Sequence, residues 1–164
     1  MSNIKDAVQL KGTVSIMMTD RDGNIVESRE LNNLIVTRGK ALMTYLLGAL
    51  SSSVKPDYMA VGTGVVAPDP ANTQLGIEVY REIINSYTAV TTTTTDDTIQ
   101  YVMQIGEGEL TSGAITEAGL FGSISGFVAG AGANTGYLLS RVTFPAINKT
   151  SSLTLTITWK IQQL

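Results

Sequence analysis

Two glutamates separated by a single residue could do chemistry. Glu107 and Glu109 lie in the stretch GEGEL, and a pair of carboxyl groups is what glycoside hydrolysis uses, one as the acid and one as the nucleophile or base. That chemistry needs the two groups to face each other across the substrate, about 5–10 Å apart. Residues spaced in this way along one loop seldom do so. We therefore interpret both glutamates as solvated loop acids.

Two further motifs resemble binding loops. DRDGN, from Asp20 to Asn24, resembles the start of a calcium loop, but its glycine comes too early and position 12 counted from Asp20 is Leu31 rather than a glutamate. A hairpin turn built on Asp22-Gly23 explains the same residues, because glycine tolerates positive φ. The stretch AVGTG lacks the lysine and the glycine spacing that would cradle a phosphate. The sequence therefore predicts neither a metal site nor a cofactor site.

The chain contains no histidine and no cysteine. Disulfides, cysteine nucleophiles, histidine bases and the usual zinc ligands are therefore excluded, together with catalytic triads built on imidazole. An enzyme would have to work with carboxylates, lysine or tyrosine alone. We expect no catalytic residues and no enzymatic activity.

Four charged residues lie within or beside apolar stretches. They are Glu78 and Arg81 in GIEVYREII, Glu117 in AITEAGLF and Arg141 in LLSRVTF. Because charged residues make up only 15% of the chain, we interpret these four as ion pairs within the domain or between subunits, with Glu117 paired to an arginine. The alternative is that they are exposed charges on strand faces, since charges are seldom fully buried.

Composition also limits the partners of the chain. Its 164 residues are 43% hydrophobic, with a net charge of −3, which suits one domain with a real core. Lysine and arginine form no basic stripe, so we expect no binding to nucleic acid. No apolar run is long enough to span a bilayer, and the first residues lack the apolar centre of a signal peptide. We therefore expect no membrane association, and a chain that stays in the cytoplasm unless an assembly carries it out.

Alternation of apolar and polar residues predicts most of the secondary structure. In Leu153–Ile161 every odd position is a large apolar residue, the period of a strand with one buried face. Leu42, Leu46 and Leu50 instead fall four apart and predict one helix near residues 37–51. Thr73 is placed to cap one helical turn. The remaining strands are predicted at residues 8–19, 25–31, 58–61, 81–94, 99–105, 115–121 and 137–144, so that the threonine run at 91–95 belongs to a strand arm.

These elements predict a mainly β protein, an antiparallel, jelly-roll-like β-sandwich of about eight to nine strands with a single helix. No internal repeat or linker divides the chain, so residues 1–164 are expected to form one domain. The stretch GFVAGAGANTG predicts a flexible surface loop at about 122–136, or an arm that becomes ordered only against a neighbour, because glycine and alanine cannot fill a core.

Four stretches carry a resemblance when they are taken in order: NLIVTRGKALMTYLL, MAVGTGVVAPDPANTQLGIEVYR, ITEAGLF and LLSRVTFPAINKTSSLTLTITWKI. Together they resemble a group of small structural proteins of tailed bacteriophages, related to modules of tail fibres, collars and baseplates. The first hairpin is less clearly shared. The matching positions are Asn33, Ile35, Thr37, Gly62 to Gly64, Leu75, Glu78, Arg81, Glu117, Gly119, Leu120 and Phe121.

The resemblance implies a non-enzymatic virion component, copies of which assemble symmetrically in the tail, collar, baseplate or fibre-attachment region. Its partners would be other copies of itself and other virion proteins, and it would be made in the cytoplasm of the host bacterium. Free sheet edges suit an assembling subunit, and the final strand should be central in its sheet or covered by another copy. Two alternatives remain, a capsid decoration (cement) protein and a carbohydrate-binding β-sandwich. The second is poorly supplied with aromatic residues, since Trp159 has the phase of a core residue.

Overall fold

Two five-stranded antiparallel sheets pack face to face in this computed structural model, which describes residues 9–47, 55–124 and 126–164. The first sheet has the order β2-β1-β10-β7-β6, and the second has the order β3-β9-β8-β4-β5. The predicted fold class, a mainly β antiparallel sandwich with one short helix, is confirmed. The elements are β1 (Leu10–Thr19), β2 (Ile25–Asn32), β3 (Leu34–Ile35), α1 (Thr37–Leu47), β4 (Lys55–Gly62), β5 (Glu78–Ile83), β6 (Ser86–Val90), β7 (Thr98–Ile105), β8 (Ser112–Ser123), β9 (Tyr137–Thr150) and β10 (Thr154–Gln163).

The closing strand is central in the first sheet, as predicted. β10 pairs with β1 along ten positions on one side and with β7 on the other. Its odd residues Leu155, Ile157 and Trp159 are fully buried in a core that both sheets line. Alternation therefore identified the buried face correctly, because neighbouring side chains of a strand point to opposite sides.

The first hairpin turns where the sequence predicts. The carboxylate of Asp20 accepts hydrogen bonds from the amides of Asp22 (3.0 Å) and Asn24 (2.8 Å), and Gly23 has φ +82°. Only glycine adopts that backbone conformation without strain. Val8, the predicted start of the first strand, lies outside the described residues.

The predicted strand over residues 81–94 is wrong. Residues 78–83 belong to β5 in the second sheet, whereas residues 86–90 form β6 in the first. The threonine run lies in the loop after β6, because the carboxylate of Asp97 accepts hydrogen bonds from the amides of Thr92, Thr93 and Thr94 at 2.8–3.0 Å. These local bonds compete with strand pairing and override the β propensity of threonine.

Three smaller expectations also need correction. No helical turn follows Thr73, and the chain passes from an irregular loop directly into β5. The described residues contain ten strands rather than eight or nine, because one predicted strand is two and because the two-residue β3 is too short to show a period. β9 continues past Pro145 to Thr150, since the proline falls at a shift in the pairing of β8 and β9, where no ladder amide is needed.

The helix α1 packs closely on β9 through a glycine. A Cβ atom added to Gly39 would lie 2.1 Å from the carbonyl oxygen of Leu139, so only a residue without a side chain allows this approach. Leu42 is buried in the core, as its place in the helical stripe predicts. The described part of the helix runs to Leu47, and the rest of its predicted span, residues 48–51, lies outside the described residues.

Replacing Gly39 by alanine should therefore destabilise the protein. In an ordinary helix this change stabilises by about 1 kcal/mol, but here the clash with β9 should lower the free energy of unfolding by about 1–3 kcal/mol. Denaturant unfolding measures the difference. Gly113→Ala is the matched control, because a Cβ atom there meets nothing within 4 Å. A Gly39→Ala variant more stable than the wild type would contradict the close packing.

Candidate functional site

The outer face of the second sheet carries the most unusual chemistry in the molecule, a buried ion pair. Glu117 on β8 and Arg141 on β9 are diagonal neighbours on this face, since Arg141 lies opposite Gly119. One carboxylate oxygen, Oε2, accepts hydrogen bonds from Nη2 (2.7 Å) and Nε (2.9 Å) of the arginine. The side chains of Glu117 and Arg141 are 0% and 3% exposed. The structure thus places Glu117 against an arginine of its own chain.

Three backbone amides complete the surroundings of the carboxylate. Gly64, Gly76 and Ile77 donate to it at 2.9, 3.0 and 2.8 Å. All three belong to the long connection between β4 and β5, which covers the outer face of the second sheet. A buried charge is tolerated only when such bonds replace its lost hydration.

The arginine binds the same connection from the other side. Nη1 of Arg141 donates to Oδ1 of Asn72 (2.8 Å), and Nη2 donates to the carbonyl oxygen of Val66 (3.0 Å). The ion pair therefore ties residues 64–77 to two neighbouring strands. We call residues 64–77 the clamped loop.

The carboxyl group of Glu117 is held in its charged form. Burial alone would raise its pKa, but the amides of Ile77 and Gly76 and the guanidinium of Arg141 together hold the pKa below its usual value. A group so strongly ionised is a poor proton donor near neutral pH. The arrangement serves to anchor backbone rather than to move a proton.

The glycines of the GTG motif leave room for this carboxylate. A Cβ atom on Gly64 would lie 2.3 Å from Oε1 of Glu117, and one on Gly62 would lie 2.4 Å from the carbonyl oxygen of Ile77. Neither position can carry a side chain while Glu117 keeps its bonds. The close approach of the Glu117 carboxylate and of the Ile77 carbonyl group explains why both positions are glycine.

A second buried ion pair lies on the same sheet. Nε and Nη2 of Arg81 donate to the two carboxylate oxygens of Glu78 at 2.7 and 2.9 Å, and both side chains are 2% exposed. The guanidinium also lies 4.3 Å from the ring centre of Phe121, within the range of a cation–π contact.

This second pair holds the Gly/Ala-rich loop, residues 126–136. Arg81 donates to the carbonyl oxygens of Thr135 (2.8 Å) and Gly130 (3.3 Å), and Glu78 accepts from the amide of Asn134 (3.2 Å). Of the predicted loop at 122–136, Gly122 and Ser123 belong to β8 instead. The flexibility of the remainder stays a prediction.

The four charged residues singled out in the sequence thus form two separate pairs within one chain. They do not meet in a single cluster, and their burial excludes the alternative of exposed charges on strand faces. Each pair binds a different loop to the second sheet. What the arrangement does chemically is to fix backbone geometry at the surface.

Sequence reasoning missed a fifth buried charge, Lys149. Its side chain donates to the carbonyl oxygens of Gly106 (2.9 Å) and Glu109 (2.6 Å), and the residue is 1% exposed. Burial lowers the pKa of its ammonium group, an effect that nearby Glu109 and Glu107 partly oppose. The sequence contained a signal for this burial, because Lys149 follows the apolar Ile147 by two residues and therefore lies on the same face of the strand.

The glutamates of GEGEL are bound to different groups. Glu107 pairs with Arg21 at 2.9 Å on the surface, and Glu109 accepts a hydrogen bond from the amide of Gly106 (2.6 Å). In the described residues no three acidic side chains are grouped so that they could hold a metal ion. Within the same residues, no helix has the length and apolar character needed to cross a membrane.

The clamped loop displays an apolar surface. Val65 and Val66 near its start are 77% and 73% exposed, and Ile77 at its end and Val79 in β5 are 59% and 42% exposed. The two segments are joined, since the amide of Thr63 donates to the carbonyl oxygen of Ile77 at 2.9 Å. We call Val65, Val66, Ile77 and Val79 the apolar corner. The Glu117–Arg141 pair binds the backbone on both sides of it.

Comparison with known proteins gives no assignment. A scan against protein-family models finds no match, and a search of curated proteins finds none either.

Proposed function

We propose that this chain is a non-enzymatic structural component of a bacteriophage virion, which assembles symmetrically through interfaces between β-domains. Its place would be the tail, the collar, the baseplate or the fibre-attachment region. The observation that carries this proposal is the apolar corner, held in place by a buried ion pair. The assignment to a virion rests on the resemblance of the sequence motifs to phage structural proteins.

The geometry supports docking through pre-organisation. A flexible loop loses conformational entropy when it binds, whereas a loop already fixed by hydrogen bonds loses little. The carboxylate of Glu117 fixes Gly64 and Ile77, and Arg141 fixes Val66. The corner therefore keeps its exposed valines in one arrangement, ready to be covered by a neighbouring subunit.

Burial of this corner supplies the driving force. Apolar surface removed from water stabilises a contact by about 25 cal/mol per Å². Exposed apolar patches on a protein with few charges mark interaction sites, and only 15% of this chain is charged. In the proposed function, burial of this exposed apolar surface drives the association of the chain with its neighbours.

Counting copies in purified particles tests the proposal. Quantitative mass spectrometry should find a few to a few dozen copies of the chain per particle, because tail parts have low symmetry. Hundreds of copies would instead assign it to the capsid as a decoration protein. Its absence from particles would overturn the virion proposal.

A matched pair of variants connects the corner to incorporation. Val65→Ser/Val66→Ser removes two exposed apolar side chains from the corner and should abolish incorporation. Ile25→Ser/Val26→Ser is the control, because these residues are also exposed (63% and 53%) but lie on β2, an edge strand of the other sheet. Equal incorporation of both variants would contradict docking through the corner.

One feature favours a second candidate, a carbohydrate-binding β-sandwich. The outer face of the first sheet has a groove of about 380 Å³, whose lining includes Lys11, Thr13, Ser15 and Lys160. Hydroxyl and ammonium groups of this kind can bond sugar hydroxyls, although Trp159 is buried and supplies no platform. A glycan array showing specific binding, lost in Lys160→Ala, would favour this candidate over the first.

A further inference from the structure

Within residues 9–47, 55–124 and 126–164 the two sheets have four edge strands, and three of them carry a feature that hinders pairing with another chain. β3 is only two residues long. β2 carries the charged residues Glu27, Arg29 and Glu30. In β5 the carboxylate of Glu82 accepts the amide hydrogen of Ile83 at 3.0 Å. Short length, charges and occupied amides are means by which proteins protect their sheet edges.

The fourth edge, β6, has none of these three features, although the hydroxyl of Thr88 donates to the carbonyl oxygen of Ala89 at 3.3 Å. It contains no charged residue, no proline and no glycine, and it pairs with β7 at five successive positions without a shift. In the part of the chain that the structure describes, no strand pairs with its outer side. Alternate N–H and C=O groups along that side therefore point away from the sheet.

The core-facing side chains of β6 are also uncovered. Tyr87 lies opposite Tyr101 in the register, with the ring centres 6.5 Å apart. Tyr101 is buried in the core at 9% exposure, but Tyr87 is 63% exposed. Ala89 follows by two residues on the same face and is exposed as well. The sandwich is open along this strand, where a further strand would cover it.

We propose that β6 pairs antiparallel with β6 of a second copy of this chain, about a two-fold axis at Thr88. The first sheets of the two copies then form one continuous sheet. This inference rests on the proposed function, since it names one of the contacts through which copies assemble. In this register Tyr87 is opposite the partner's Ala89, whose small side chain leaves room for the ring, and such cross-strand pairs stabilise a sheet.

Charge does not oppose pairing with a second copy at this edge. From Asn85 to Thr95 the sequence contains no charged residue, although the whole chain has a net charge of −3. Two copies can therefore meet here without placing like charges opposite each other, which would be destabilising. At β2 or β5 the same pairing would bring glutamates of two copies together.

The sizes of the side chains on β6 also suit pairing of this strand with a second copy of itself. A two-fold axis at Thr88 places the large residue 87 opposite the small residue 89 twice, once on each side of the axis. Five residues make a small contact, and a single one of this size is weak. On a particle that holds many copies, repeated weak contacts add up through effective concentration.

Cross-linking at the axis tests this register. The chain has no cysteine, so Thr88→Cys introduces a single thiol, and Cα atoms opposite each other in an antiparallel pair lie about 4.5–5.5 Å apart, within the range of a disulfide. Under mild oxidation of the purified full chain we expect a disulfide-linked dimer on a non-reducing gel. Ser28→Cys, also exposed and on the opposite edge strand, is the control. The dimer yield for Thr88→Cys should be higher by about tenfold, because a bound pair raises the local thiol concentration.

A second pair of variants tests the same contact without cross-linking. Because a single contact is weak, dimers are measured by sedimentation velocity at high protein concentration. Thr88→Lys places two like charges across the axis and should abolish them, whereas the neutral Thr88→Gln should keep them. Equal cross-linking of Thr88→Cys and Ser28→Cys would overturn the inference. If the chain is present in particles but Thr88→Cys does not cross-link, this inference alone fails. If Thr88→Cys cross-links but particles lack the chain, the proposed virion function alone fails.

Discussion

The variant Glu117→Gln is expected to lose about 3–5 kcal/mol of its free energy of unfolding, because it leaves the buried guanidinium of Arg141 without a counter-charge. The NH2 group of glutamine also replaces one carboxylate oxygen, so its donors face either the amides of Gly64 and Ile77 or the amide of Gly76 and the guanidinium of Arg141, all of which are donors themselves. Denaturant unfolding monitored by the fluorescence of Trp159 measures the loss. The buried position of that tryptophan makes it a reporter of the core.

The control for this variant is Glu107→Gln. It makes the same chemical change in an exposed ion pair, in which the side chains of Arg21 and Glu107 are 71% and 37% exposed. Exposed pairs contribute about 0–1 kcal/mol, so the control should be nearly neutral. Equal small effects of the two variants would show that the Glu117–Arg141 pair does not hold the fold together.

The loss in Glu117→Gln should also depend on pH. The folded-state pKa of Glu117 lies below its ordinary value of 4.5, so the folded state binds fewer protons than the unfolded state in the interval between them. The stabilisation is therefore complete above the ordinary pKa and is lost as the pH falls through the folded pKa. The difference in unfolding free energy between wild type and variant should shrink in acid. A difference that is constant from pH 7 into this acidic range would contradict the ionised pair.

The variant Arg81→Gln is also expected to lose about 3–5 kcal/mol of its free energy of unfolding, because Glu78 then remains buried and unpaired. The effect should concentrate in the Gly/Ala-rich loop, since Arg81 donates to the carbonyl oxygens of Gly130 and Thr135. Hydrogen exchange should show that the amides of residues 126–136 gain more in exchange rate over the wild type than the amides of the clamped loop do.

Its control is Arg21→Gln in the exposed pair with Glu107. Neither global stability nor exchange in residues 126–136 should change in that control. An Arg81→Gln variant whose loop amides exchange at the wild-type rate would contradict the role assigned to this arginine. An equal increase in amide exchange throughout the chain would show that Arg81 stabilises the whole fold rather than the loop.

The elements governed by short-range pattern could be predicted from the sequence. The five apolar residues of Leu153–Ile161 predict a strand with one buried face, and β10 has that face in the core. The Asp22-Gly23 turn was predictable too, because its chemistry is complete within five residues, including the bonds to Asp20. Local chemistry of this kind does not depend on the rest of the chain.

Elements decided by distant or competing contacts could not be predicted in this way. The threonines at 91–95 have strand propensity, but the carboxylate of Asp97 holds their amides in a loop. Gly39 has a low helix propensity, but in the fold it allows the helix to touch the backbone of Leu139. In both places a tertiary or side-chain contact outweighs propensity.

The candidate site was predicted only in part. The sequence identifies Glu117 and Arg141 as charges in apolar surroundings, and it expects Glu117 to meet an arginine. It cannot give the three backbone amides that bind the carboxylate, because these lie 40 to 53 positions away along the chain. The apolar corner was also not predicted, since exposure of Val65 and Val66 depends on where the clamped loop lies.

The most direct test of the account is the mass of the purified chain in solution, measured by sedimentation equilibrium over a wide range of concentration. We predict that the mass of the wild type rises from 17.4 kDa to a fixed multiple of that value, and that Val65→Ser/Val66→Ser shifts the rise to higher concentration. A wild-type chain that stays at the monomer mass at the highest concentration would contradict the claim that this molecule works by association of its copies.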